Sequence, residues 1–175
     1  MTSSTRIVGT DDGREYLMHG TSESLVDVCL KRMYDATAEE IFDAWLDPAA
    51  RGLRLLPTVT GRIVQSHCDP LVGGSFSLVE RHTGGDTTHT GRFLELDRPG
   101  LLVFTLSHRH CSHPDSRVVI EIVSLGSGCE VSLTHVCVTG DCATRIEQGW
   151  ADVLEELAKR MVPESPLRTA EHMTA

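Results

Sequence analysis

Residues 140–161 read Gly-Asp-Cys-Ala-Thr-Arg-Ile-Glu-Gln-Gly-Trp-Ala-Asp-Val-Leu-Glu-Glu-Leu-Ala-Lys-Arg-Met, and this stretch decides the fold. Ile146, Gly149, Trp150, Val153, Leu154, Leu157 and Met161 recur at helical spacing on one face, while Glu155 with Lys159 and Glu156 with Arg160 form acid-first i,i+4 pairs on the other. Gly140-Asp141 opens the helix, and Pro163 and Pro166 stop it. A long helix with one broad apolar face needs a partner surface of matching size.

That surface lies upstream, where the period changes from 3.6 to two. Residues 62–67, 74–81, 87–97, 101–110, 117–124 and 129–138 alternate or run apolar as strands do, and Gly-rich or Pro-containing turns separate them. Short connections make successive strands antiparallel neighbours, so these six form a meander. Residues 25–33, rich in β-branched and apolar side chains, add a seventh strand. Between the first strand and the meander, Thr37 with Glu40 three residues on has the pattern of a capping box, and Ile41, Ala44 and Trp45 share a face, which predicts a helix over 38–46. Asp47-Pro48 predicts the start of a second short helix.

The expected architecture is therefore α+β: a curved antiparallel sheet of about seven strands around a long C-terminal helix, with two short helices after the first strand. One domain spans residues 24–162, preceded by an N-terminal extension, 1–23, and followed by a loose tail, 163–175.

With 175 residues, 40% of them hydrophobic and 23% charged, the chain has the composition of a globular domain. The formal charge of −9, with Lys31 and Lys159 as the only lysines, argues against nucleic acid and against a polybasic membrane surface. Residues 1–20 carry no apolar core behind a basic end, and no apolar run is long enough to span a bilayer, so the expected location is cytoplasmic. Cys29, Cys68, Cys111, Cys129, Cys137 and Cys142 are scattered without a CxxC pair, and they read as reduced thiols.

The order of elements and a set of local matches resemble the START-like (SRPBCC) superfamily, and within it the bacterial proteins similar to the activator of heat-shock protein 90 ATPase. The matching residues are 38–45 with Asp47-Pro48, then 72–76 (VGGSF), 91–99 (GRFLELDRP), 131–135 (VSLTH), and Gly149-Trp150 ahead of Leu154 and Leu157. The resemblance spans roughly residues 25–162. It implies a helix-grip fold with a hydrophobic cavity between helix and sheet, in a family that includes ligand carriers, polyketide cyclases and co-chaperone-like proteins. One departure stands at 53–57 (LRLLP), where the family often has a tryptophan before the proline; this wall of the cavity is aliphatic here.

The function expected on this basis is binding of a small hydrophobic or amphipathic ligand. The wall residues are Trp45, Phe76, Phe93, Trp150, Leu154 and Leu157, with Glu95 and His135 as polar candidates. Trp150, from its helical face, is expected to report ligand binding more strongly than Trp45. A homodimer is compatible with the sequence.

Two alternatives come from other classes. A cyclase or dehydratase would need a pocket His or Glu with an oriented partner. A chaperone-related interaction module would need an exposed apolar patch, for which residues 53–56 are the candidate.

Other candidate chemistry weighs less. His108, His110, Cys111 and His113, with His135 and Cys137 nearby in the meander, suggest a metal, yet the first four lead into a proline turn and no HExxH or paired CxxC accompanies them. No metal, cofactor or catalytic residue is assigned. His135 alternates with Val131, Leu133 and Cys137, and a core histidine satisfied by its neighbours is the plainer reading. Arg92, Glu95, Arg117 and Glu121 are strand charges of the kind that face solvent on antiparallel sheets.

Overall fold

The computed structural model describes residues 10–11, 14–15, 25–46, 62–108 and 112–161. The predicted second short helix from Asp47-Pro48, the aliphatic segment 53–57 and the tail 163–175 lie outside the described residues, as does most of the extension 1–23.

Two short strands, β1 (Thr10–Asp11) and β2 (Arg14–Glu15), pair with each other. The domain proper begins with β3 (Leu25–Tyr34) and α1 (Ala38–Leu46). The capping box forms as the sequence predicts. Glu40 N donates to Thr37 Oγ1 at 3.2 Å, and Thr37 N donates to Glu40 Oε2 at 2.8 Å, so two backbone donors at the helix start are satisfied reciprocally. Ala38, Ile41, Phe42 and Trp45 form the buried face of α1.

The meander follows as β4 (Arg62–Cys68), β5 (Ser75–His82), β6 (Gly85–Asp97), β7 (Leu101–Thr105), β8 (Ser107–His108), β9 (Ser112–Leu125) and β10 (Gly128–Thr139). The strand order is β3-β10-β9-β7-β6-β5-β4, with β8 also on β6, an eight-stranded antiparallel sheet. The first strand of the large sheet, β3, thus pairs with the last, β10. The run 101–110, expected as one strand, is split into β7 and β8. At the break the Arg92 N–H donates to Thr105 Oγ1 at 3.0 Å, so a side chain takes the donor there.

Gly91 explains how close the backbones come at this point. Opposite Phe76 in register, it carries no Cβ, and a Cβ there would collide with the Thr105 carbonyl oxygen and the Phe76 ring.

A 3-10 turn, Gly140–Cys142, leads into α2 (Ala143–Met161), whose Gly149, Trp150, Val153, Leu154 and Leu157 are buried. α2 packs chiefly along β3, and Tyr34 at the end of β3 donates its phenol proton to the Leu154 carbonyl at 2.9 Å. Burial pushes the Tyr34 hydroxyl well above its ordinary pKa, so it stays a donor. One continuous core joins α1, α2 and the inner faces of β3, β5, β6, β7, β9 and β10. No helix among the described residues is long and apolar enough to cross a membrane.

The cysteines require a correction. Cys29, Cys68 and Cys129 are free thiols, but Cys142 takes part in a disulfide with a partner outside those three. Sequence spacing treats each cysteine as a separate strand position. Cys142 ends the 3-10 turn after β10, and a bond between cysteines not spaced as CxxC leaves no such signature in the sequence.

Candidate functional site

The wall residues expected from the sequence divide into three groups. Trp45, Trp150, Leu154 and Leu157 meet where α1 and α2 close over the sheet, and all belong to the buried core. Phe76, Phe93 and Phe104 form a second aromatic group, with ring centroids 5.5, 5.6 and 6.2 Å apart and mostly edge-on geometry. Glu95 stands apart from both. It is exposed on β6, next to a register shift between Phe93 and Glu95 that leaves Leu94 and Glu95 both facing outward.

His135 is buried on β10 and is fully engaged. Trp150 Nε1 donates to its Nδ1 at 3.1 Å, and Ser116 Oγ lies 2.8 Å from its Nε2. An indole N–H is donor only, so Nδ1 accepts and the ring proton sits on Nε2, which donates to the Ser116 oxygen. A base that activates a serine needs the opposite arrangement, with Nε2 accepting. Ser116 and His135 therefore hold α2 to the sheet rather than form a nucleophile and its base. Trp150, 0% exposed with its only polar atom occupied, is a packed core residue.

Trp45 differs. It is 8% exposed, its ring lies 6.5 Å from that of Trp150, and its Nε1 is buried with no hydrogen-bond partner among the described residues. A buried donor left unsatisfied costs about 1–3 kcal/mol unless another group completes it.

A polar cluster that the sequence reading did not single out lies on β5 and β6. Phe76, Leu78 and Glu80 alternate on the buried face of β5, so Glu80, at 2% exposure, continues an apolar row. His82 follows on the same face, and buried His89 stands on β6 opposite Leu78. Glu80 Oε2 lies 3.2 Å from His82 Nε2 and 3.5 Å from His89 Nε2. Burial pulls the His89 pKa down, against the opposing pull of the Glu80 carboxylate, so His89 is neutral near neutral pH. A buried carboxylate close to two imidazoles occurs here rather than at His135.

The alternation Phe76-x-Leu78-x-Glu80 was a usable signal in the sequence. It places a carboxylate on the core face. Arg92, Arg117 and Glu121 are exposed, as strand charges usually are. Of the histidine-rich stretch at 108–113, the side chains lie outside the described residues, and among the described residues no group of three His, Cys, Asp or Glu is placed to hold a metal ion.

This sheet wrapped on a C-terminal helix, with its interior shared between aromatic walls and a few buried polar groups, defines a START-like helix-grip protein. Residues 35–161 match the family described as activator of Hsp90 ATPase homolog 1-like protein, and the chain belongs to that family. No curated protein matches the chain.

Solved structures share its fold. A protein from Chromobacterium violaceum is 24% identical, with a TM-score of 0.66, over 79% of this chain and 98% of its own. An AHSA1-like protein from Aeromonas hydrophila is 21% identical, with a TM-score of 0.62, over 78% of this chain and 92% of its own. An HSP90 activator from Plasmodium falciparum is 24% identical, with a TM-score of 0.59, over 77% of this chain and 95% of its own.

Proposed function

We propose that this protein binds a small, largely apolar molecule in the interior between the sheet and the helices. One observation carries the reading: the largely apolar interior holds buried polar atoms with no hydrogen-bond partner among the described residues, Trp45 Nε1 and Glu80 Oε1. Folded proteins pair such atoms, and a bound molecule that reaches them would remove the penalty of leaving them bare. Phe76, Phe93 and Trp45 supply apolar wall, while Trp150, Leu154 and Leu157 back that wall as packed core.

Native mass spectrometry of freshly purified protein tests the reading. A retained small molecule, released on denaturation, is the expected result. A bare chain mass, together with no saturable binding of fatty acids, flavonoid-like aromatics or sterols, would count against it.

A second reading, a chaperone-related role, draws on family membership and on an exposed apolar strip. Met33 (58% exposed) on β3 and Val123 (54%) on β9 flank Glu130 of β10 in register on the outer face of the sheet. Its test is the ATPase rate of an Hsp90-class chaperone with and without the protein. Stimulation that Met33→Asp abolishes would favour this reading, and an unchanged rate would remove it.

A further inference from the structure

Glu80 is the least expected residue in the interior. Its neighbours along the buried face of β5 are Phe76 and Leu78, both core residues, and its partner across the β4 ladder is Ile63, which packs against the same core. A carboxylate in such a row is costly to desolvate unless both oxygens are satisfied. Here the two oxygens differ. Oε2 faces the imidazoles of His82 and His89, whereas Oε1 is buried with no hydrogen-bond partner among the described residues.

A carboxylate oxygen accepts hydrogen bonds and donates none when ionised. The group that completes Oε1 must therefore be a donor. Burial keeps His89 neutral, so that imidazole lies 3.5 Å from Glu80 Oε2 but brings it no positive charge.

We infer that Glu80 Oε1 is the polar anchor of the interior site, and that the ligand presents a hydrogen-bond donor to it, an alcohol or a protonated amine on an apolar body. This rests on the reading of the interior as a ligand site and specifies which molecules enter it. Carboxylates such as fatty acids are poor ligands, because their charge meets that of Glu80 without a donor between them. Ethers and hydrocarbons of the same length fit the walls but leave Oε1 bare.

A matched ten-carbon series tests this: decanol, decylamine, decyl methyl ether and decanoate, each titrated below its micelle concentration into the wild-type chain by calorimetry. Decanol, decylamine or both should bind roughly tenfold or more tightly than the ether and decanoate, the range expected for a hydrogen bond to a charged group. In Glu80→Leu, with folding checked by circular dichroism, that preference should vanish while affinity for the ether is kept.

Should Glu80→Leu fail to fold, Glu80→Gln serves instead. It keeps the shape and one acceptor oxygen but no charge, so it should lose preference for decylamine over the ether. Equal binding of all four compounds by the wild type, or a donor preference that survives in the folded Leu variant or an amine preference that survives in the Gln variant, overturns the inference and leaves the site standing. Absence of saturable binding by every compound removes the site itself.

Discussion

Trp150 Nε1 and His135 Nδ1 lie 3.1 Å apart, a buried hydrogen bond between the C-terminal helix and the sheet that fixes the histidine tautomer. Ser116 Oγ takes the other ring nitrogen at 2.8 Å. Removing the imidazole strands a buried indole donor and a buried hydroxyl together. His135→Leu should therefore lower folding stability by about 2–4 kcal/mol, since each stranded group costs about 1–3 kcal/mol. Urea unfolding of the purified variant measures it, and a loss under about half a kcal/mol would show the network to be unimportant.

Trp45, rather than Trp150, should report ligand binding. The Trp150 indole nitrogen already has its partner, whereas that of Trp45 is buried without one among the described residues. The emission change on ligand addition should persist in Trp150→Phe and be lost in Trp45→Phe. The opposite pattern would return the reporter role to Trp150, where the helical face alone had placed it.

Acid should weaken the fold in part through His89. Its folded pKa lies below the ordinary value of 6.5 because burial disfavours the imidazolium. The unfolded chain therefore binds a proton more readily, and stability rises with pH across the window between the two values. The contribution of His89 is complete above about pH 6.5 and declines as the pH falls from there towards the folded value. His89→Gln should lose less stability than the wild type between neutral and mildly acidic pH, measured by thermal unfolding in matched buffers. Parallel curves for the two proteins would rule His89 out as a source of acid sensitivity.

The Cys142 disulfide predicts a thiol count. Protein purified without reductant and then denatured should react at fewer than the six cysteines of the sequence, and at all six after reduction. Cys142→Ser should abolish that difference. Six reactive thiols without reduction would mean that the bond is absent in solution and would restore the fully reduced reading.

The fold was legible because its signals are local or periodic. Thr37 and Glu40 sit at the spacing where two side chains can cap one helix start, so α1 follows as residues 38–46. Trp150, Leu154 and Leu157 share a helical face because 3.6 residues make a turn, and Phe76, Leu78 and Glu80 share a strand face because successive residues alternate. These periods determine which side chains face inward together. They do not determine what those side chains meet.

The meeting of partners was left to the tertiary structure. The sequence favoured a satisfied core residue at His135 over a ligand donor or a base but named no partners, and the packing of α2 on the sheet brought the Trp150 indole and the Ser116 hydroxyl to its two nitrogens. The pairing of β5 with β6, which sets Leu78 opposite His89, brought the imidazole of His89 to Glu80. Glu95 went the other way, carried outward by a register shift beside Phe93. By itself the sequence determined the elements, their order and their apolar faces, because hydrogen-bond geometry within a helix or strand depends only on neighbours in the chain. Only the tertiary structure decided which polar groups inside find partners among the described residues, because that depends on distances across elements far apart in sequence.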